Sequence, residues 1–240
     1  MDLSSAVGII NGASSGIGLA TSRTLSRAGA KLVITARRVD VLNDLAKELK
    51  NDVVVVEGDV CDASLPERLI DSAVQKFGKL DFVFNNAGIM NVGSVDELDD
   101  ESITSMIRVN YEAATRLAYA SCKRFKKQGH GDLITTSSIL GMKVRPTVGV
   151  YAGTKYAMEA LSESLRMELA GTGVRVMVIE PGFTSTHLQD HWSASQREML
   201  KSITQPVQPE DIARAVLFML EQPSYVVIPR LLMVPVEQQI

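Results

Sequence analysis

The stretch YAGTK places Tyr151 and Lys155 four residues apart at the start of a helical pattern, so both side chains lie on one helix face. A phenol with a pKa of about 10 is a poor acid or base at neutral pH. A nearby ammonium favours the phenolate and lowers that value. Tyr151 could then give a proton to a substrate oxygen, or take one, while a hydride moves at the adjoining carbon. The pattern Y-x-x-x-K alone recurs by accident on many helices, but here it has company. Thirteen residues upstream, TTSSILG closes an apolar run with Ser137 and Ser138, and a hydroxyl there could stabilise charge developing on the same oxygen. NNAG at 85–88 closes another apolar run, and RVN puts Asn110, an indifferent helix former, inside a helical pattern.

A second constellation lies near the start of the chain. NGASSGIG carries Gly12, Gly16 and Gly18 between a strand pattern and a helix pattern. Small residues let the backbone approach a pyrophosphate, and the N–H groups of a helix N-terminus attract phosphate. The spacing is G-x-x-x-G-x-G, not the commoner G-x-G-x-x-G. About twenty residues past such glycines a site selective for NAD usually presents an acid to the ribose. Arg37 and Arg38 stand there instead, and a guanidinium suits a 2′-phosphate, so NADP is expected over NAD.

These residues need elements to hold them. Strand-length apolar runs occur at 6–10, 32–35, 53–56, 82–84, 133–136, 174–179 and 226–234, mostly without polar alternation, as expected of strands buried on both faces. Helical patterns fall between them at 17–28, 39–50, 64–77, 99–127, 150–170 and 209–221. The alternation predicts an α/β fold, a single domain over 1–240 with a doubly wound parallel sheet of about seven strands flanked by helices, the Rossmann arrangement. In such sheets a ligand sits beyond the carboxyl ends of the strands, and the unusual residues above all follow strands.

Composition narrows the function classes. The 240 residues carry 25 Lys and Arg against 28 Asp and Glu, a net charge of −3, and KRFKK at 123–127 suits a helix C-terminus, so nothing favours nucleic acid. Cys61 and Cys122 show no metal or redox spacing, so no metal is expected. The first ten residues read as a strand and not a leader, and nowhere do 18 apolar residues run together, so a cytoplasmic, non-membrane protein is expected.

Taken together and in order, NGASSGIG, GDV at 58–60, NNAG, Asn110, Ser138, Tyr151 with Lys155, and EPGFTSTHL at 180–188 resemble a short-chain dehydrogenase/reductase along essentially the whole chain. The resemblance implies an NADP-dependent oxidoreductase interconverting a carbonyl and an alcohol. It implies Tyr151 as acid/base, Lys155 lowering its pKa and holding the nicotinamide ribose, Ser138 orienting the carbonyl, and Asn110 keeping a water in a proton relay. Cofactor contacts are implied for Gly12, Ser14, Ser15, Gly16, Ile17, Gly18, Arg37, Arg38, Asp59, Val60, Asn86, Ala87 and Gly88. They are also implied for Tyr151, Lys155, Pro181, Gly182, Thr184 and Thr186, with a substrate lid around 184–205. Asn11 departs from the family's usual Thr. A homotetramer, or a homodimer, is implied too, built on the helices at 99–127 and 150–170 and on the last strand.

The tail YVVIPRLLMVPVEQQI is similar to that of the NADP-dependent 3-hydroxy acid and serine dehydrogenase branch, which implies a small 3-hydroxy acid, semialdehyde or related carbonyl as substrate. An acid substrate needs a cation, for which Lys143, Arg145, His187 and His191 are candidates. Trp192, with Leu188 and Met199, could instead form an apolar lid for a bulkier ketone, steroid or acyl-thioester. A silent NADP-binding regulator has no need of Ser138, Tyr151 and Lys155 together.

Overall fold

The computed structural model describes residues 1–190, 192 and 202–240. Strand β1 (Val7–Asn11) leads into α1 (Gly16–Arg27), β2 (Lys31–Ala36) into α2 (Val39–Glu48), and β3 (Val53–Glu57) into α3 (Leu65–Phe77). After β4 (Phe82–Asn85) come α4 (Asp100–Ile107), a π-helical turn at Arg108–Ala113, and α5 (Ala114–Gln128). Then follow β5 (Gly131–Thr136), α6 (Gly149–Glu168), β6 (Val174–Pro181), α7 (Pro209–Glu221) and β7 (Arg230–Met233). All seven strands pair in parallel in the order β3-β2-β1-β4-β5-β6-β7. The chain thus reverses its direction of travel between β1 and β4, and the crevice for a ligand opens there.

The strand side chains divide between two cores. Ile10, Leu32, Ile34, Phe82, Phe84, Ile134, Met177 and Ile179 face Leu25 of α1, Leu42 and Leu45 of α2, and Ile212, Val216 and Met219 of α7. Val7, Ile9, Val33, Val83, Leu133 and Val176 face Leu69 of α3, Leu117 and Phe125 of α5, and Leu165 of α6. Each fully buried Leu, Ile or Phe contributes about 1.5–3 kcal/mol, so a sheet filled on both faces fixes its strand register.

Two predicted elements differ in the structure. The helical pattern at 99–127 is one rod in sequence, but it widens to a π turn at Arg108–Ala113. That turn contains Asn110, whose side chain bonds the backbone of Ile89 in a neighbouring loop. The last strand is shorter than 226–234. Val226 turns its carbonyl to the Arg175 guanidinium, Pro229 has no N–H to donate, and only Arg230–Met233 joins the ladder. Among the described residues no helix is long and apolar enough to cross a membrane.

Candidate active site

β1 ends on Asn11, which is buried and holds two loops together. Its Oδ1 accepts hydrogen bonds from the backbone N–H groups of Asn86 and Ala87, and its Nδ2 donates to Asn85 Oδ1 at 3.0 Å. The glycine turn is thereby fastened to the NNAG loop. Gly12 and Gly16 take φ of +66° and +51°, where a side chain is strained. Gly18 serves packing: a Cβ there would lie 2.3 Å from the Gly12 carbonyl oxygen. Ser15 caps α1 without a side-chain bond, and no acid occupies the first helical turn. Thr186 closes over this turn, its Cγ2 3.2 Å from where a Gly16 Cβ would stand.

A continuous cavity of about 1780 Å³ runs across the carboxyl ends of the strands. It is lined by Gly12, Ser14, Ser15, Gly16 and Ile17 after β1, Arg37 and Arg38 after β2, Asp59 and Val60 after β3, and Asn86, Ala87 and Gly88 after β4. Ser138 after β5, Tyr151 and Lys155 at the start of α6, and Pro181, Gly182, Thr184 and Thr186 after β6 complete the expected set. Gly18 and Asn110 stand behind this wall. Asn110 is buried, with Oδ1 accepting from Ile89 N–H and Nδ2 donating to Ile89 O, each at 2.8 Å. It also lies against Gly88: a Cβ on that glycine would be 3.4 Å from Asn110 Oδ1 and 3.8 Å from Lys155 Nζ.

The reacting centre differs electrostatically from the sequence reading. Burial pushes the Tyr151 phenol up to about 12, and the Ser138 hydroxyl beside it acts the other way as a hydrogen-bond partner. Burial also pulls Lys155 down to about 8, against the pull of Glu159. Lys155 donates to Thr136 O at 2.8 Å and sits 5.6 Å from the centre of the Tyr151 ring. Burial is the larger of the influences on the Tyr151 phenol. Ser137 and Ser138 both line the cavity; Ser138 Oγ accepts from Leu140 N–H at 3.1 Å, and Ser137 Oγ lies toward Gly141 and Glu159.

At the cavity's first end Arg38 folds back onto Ser14, donating to its carbonyl and hydroxyl oxygens at 3.1 Å each, and Arg37 is exposed beside it. Asp59 accepts from Cys61 N–H at 2.9 Å. At the other end Lys143 and Arg145 are exposed on the loop after β5, and His187 pairs with Asp190 at 2.7 Å. Trp192 is buried with Met90, Met106, Val148 and Tyr151. His191 and Met199 lie outside the described residues, as does much of the expected lid. Sequence reasoning missed Glu237, Gln238 and Gln239, which line the cavity from the chain's end. Their only signal was a polar cluster following Pro235 in an otherwise apolar tail.

The profile of the family described as short chain dehydrogenase matches residues 6–197. An uncharacterized oxidoreductase of Staphylococcus aureus (strain USA300) is 35% identical over 235 residues, covering 98% of this chain and 99% of its own. An alcohol dehydrogenase from the archaeon Thermococcus sibiricus, solved in complex with 5-hydroxy-NADP, superposes with a TM-score of 0.86 at 31% identity, over 98% of each chain. The closed form of a serine dehydrogenase complexed with NADP+ superposes with a TM-score of 0.91 at 28% identity, over 98% of this chain and 96% of its own. The glycine turn, strands β1 to β6 and the Ser138, Tyr151 and Lys155 cluster sit within the residues the family profile matches, and the chain is an oxidoreductase belonging to the short-chain dehydrogenase family.

Proposed function

We propose that the protein is an NADP(H)-dependent oxidoreductase that interconverts a small carbonyl and its alcohol. The observation that carries this reading is the convergence of Ser138, Tyr151 and Lys155 on one wall of the cavity that begins at the glycine turn. The residues fit a dinucleotide: Gly12 and Gly16 turn the backbone at positive φ in the cavity lining, and α1 offers an uncapped N-terminus to a pyrophosphate. Arg37 and Arg38 would hold a 2′-phosphate, Asp59 and Val60 the adenine, and Asn86, Ala87 and Gly88 the floor. Pro181 to Thr186 would close over the far ring. When bound, the cofactor supplies or accepts the hydride.

The chain's own residues then handle the proton. In reduction Tyr151, protonated at neutral pH because burial holds its pKa near 12, donates its proton to the carbonyl oxygen as that oxygen gains charge. The Ser138 hydroxyl donates a second hydrogen bond to the same atom. Lys155 supplies positive charge beside the phenolate that results, and Thr136 O holds it in place. Asn110 fixes the Ile89 backbone and borders Lys155 across Gly88, where a proton relay would run.

The branch implied by the tail, together with the NADP+ complex of the serine dehydrogenase it superposes on, supports a 3-hydroxy acid, semialdehyde or related small carbonyl. A second reading rests on the buried cluster of Trp192, Met90, Met106 and Val148 around Tyr151, which favours a ketone with an apolar body. Exposed Ile107, Tyr111 and Tyr119 along α4 and α5, with Tyr156 and Met167 on α6, support a homotetramer or homodimer. Two free thiols accord with a reducing compartment such as the cytoplasm. The test is NADPH consumption and NADP reduction by purified protein over small 3-hydroxy acids, aldehydes, acyl-thioester ketones and steroids, with NADH and NAD in parallel. Preference for NADPH with a small polar carbonyl supports the first reading, and activity only with bulky ketones supports the second. Silence across the panel with NADPH still bound overturns both.

A further inference from the structure

The chain's end is stitched into the wall of the cavity at three places. Gln238 Oε1 accepts the backbone N–H of Phe183 at 2.8 Å, in the loop after β6. Its carboxamide sits so close over Gly182 that a Cβ there would lie 2.4 Å from Gln238 Oε1. Glu237 accepts hydrogen bonds from Thr204 N–H and from Gln205 N–H, and from the Thr204 hydroxyl at 2.6 Å. Gln239 O accepts from Arg145 Nη2 at 3.3 Å, which brings the loop after β5 to the same tail.

One consequence concerns orientation. Because Phe183 presents a donor, the Gln238 amide must offer it the oxygen, which leaves Nε2 as the outward group. No hydrogen bond engages that Nε2 among the described residues, and Gln238 is half-buried in the lining of the cavity. Lys143 and Arg145 add positive charge to the same lining, while the three donors from Thr204 and Gln205 engage the Glu237 carboxylate. An N–H donor whose partner oxygen is already engaged, in a lining that holds the two cations and in which Glu237 is occupied by its own donors, matches an oxygen acceptor carrying negative charge.

We propose that the tail forms the substrate-selective end of the site, in which Gln238 Nε2, with Lys143 and Arg145, binds the carboxylate of a small hydroxy acid or its oxo product. This rests on the oxidoreductase reading above and narrows its substrate class. The experiment follows NADP reduction by full-length wild-type, Gln238→Leu and Gln238→Glu proteins with 3-hydroxybutyrate and with 2-butanol, which lacks the carboxylate, alongside NADPH binding. Losing one hydrogen bond to a charged group should raise KM for 3-hydroxybutyrate about tenfold in Gln238→Leu, with kcat, KM for 2-butanol and NADPH affinity little changed. Gln238→Glu keeps an acceptor for Phe183 N–H but sets an anion against the substrate, so its KM for 3-hydroxybutyrate should rise further. Equal losses with both alcohols would make Gln238 a structural support of the loop, and an unchanged KM in Gln238→Glu would remove it from the substrate's surroundings; either overturns the proposal. Wild-type protein that oxidises 2-butanol but not 3-hydroxybutyrate overturns the carboxylate site and leaves the oxidoreductase reading standing. Inertness toward both alcohols overturns the alcohol substrate class that the two readings share.

Discussion

An arginine–carboxylate cluster stands at each end of β6, and the two clusters are built differently. At the amino ends Asp132 and Arg175 are register partners in adjacent strands, with side chains 5% and 7% exposed. Arg175 donates to both carboxylate oxygens and to the carbonyls of Leu220, Gln222, Pro223 and Val226, so one neutral pair fastens the chain between α7 and β7. At the carboxyl ends Glu159 of α6 and Glu180 of β6 share one half-exposed guanidinium, that of Arg230. There the acids outnumber the cation, and burial together with the Glu180 carboxylate raises the Glu159 pKa. A buried charge without a counter-ion of its own costs stability. The balanced cluster stands at the amino ends of the strands and the unbalanced one at the carboxyl ends, where Ser137, Lys155 and Pro181 line the cavity, so the fold gives up stability on the side where the cavity opens.

If that division is right, substitutions at the two ends should separate activity from stability. The largest effect is expected from Tyr151→Phe, which removes the hydroxyl proposed above as the proton donor. Turnover should fall by about 10⁴-fold, the upper end of what a positioned acid–base group supplies, with the unfolding midpoint and NADPH binding nearly unchanged. Unchanged turnover would remove Tyr151 from the mechanism. Arg175→Met should do the reverse. It strands the Asp132 carboxylate and several carbonyls in the core and should lower unfolding free energy by about 3–4 kcal/mol in urea titration, while kcat of the folded fraction holds. A loss of kcat without a loss of stability there would erase the distinction between the two ends.

How much of this could be read from sequence depended on whether the signal was local. The sheet was legible because strands buried on both faces leave continuous apolar runs. The glycine turn and the Tyr151–Lys155 pair were legible because each is set by spacing within one turn of chain. The π turn was hidden, since the contact responsible for it joins Asn110 to Ile89 across 21 residues. The Arg175 cluster was hidden too, because an arginine in a strand pattern reads as an edge residue until the carbonyls that meet it come from another segment. The balance at Tyr151 was misread for a related reason: helical spacing gives a neighbouring lysine, but not the depth of burial that is the larger influence on the phenol.

A smaller effect is expected at the cavity's exposed cations, which contrast with the buried guanidinium of Arg175. Arg38 is solvent-facing, and among the described residues its side chain bonds only Ser14, so its loss should leave stability unchanged. Arg38→Ala should weaken NADP binding about tenfold at low ionic strength and NAD binding scarcely at all, with the difference shrinking as salt is added. Equal weakening of both cofactors would place Arg38 in the support of the glycine turn and not at a 2′-phosphate.

The smallest and most diagnostic effect concerns Glu159, which sits one helical turn after Lys155. Burial raises its pKa above the ordinary 4.5, and it faces Lys155 and Glu163 on its own helix, Glu180 on β6 and Arg230 on β7. As pH rises past 4.5 the unfolded chain loses this proton before the folded chain does, so the native state binds more protons and stability falls with pH. Glutamine has no proton to lose. Glu159→Gln should therefore gain unfolding midpoint relative to wild type at pH 8 compared with pH 5. The same change removes the negative charge that supports the Lys155 ammonium, already pulled down to about 8, so the alkaline limb of kcat should move to lower pH. A stability difference that does not grow with pH would mean that the open cluster carries no strain. An unmoved alkaline limb would mean that Glu159 holds the helix without tuning the lysine, and the two ends of the sheet would then differ in packing alone.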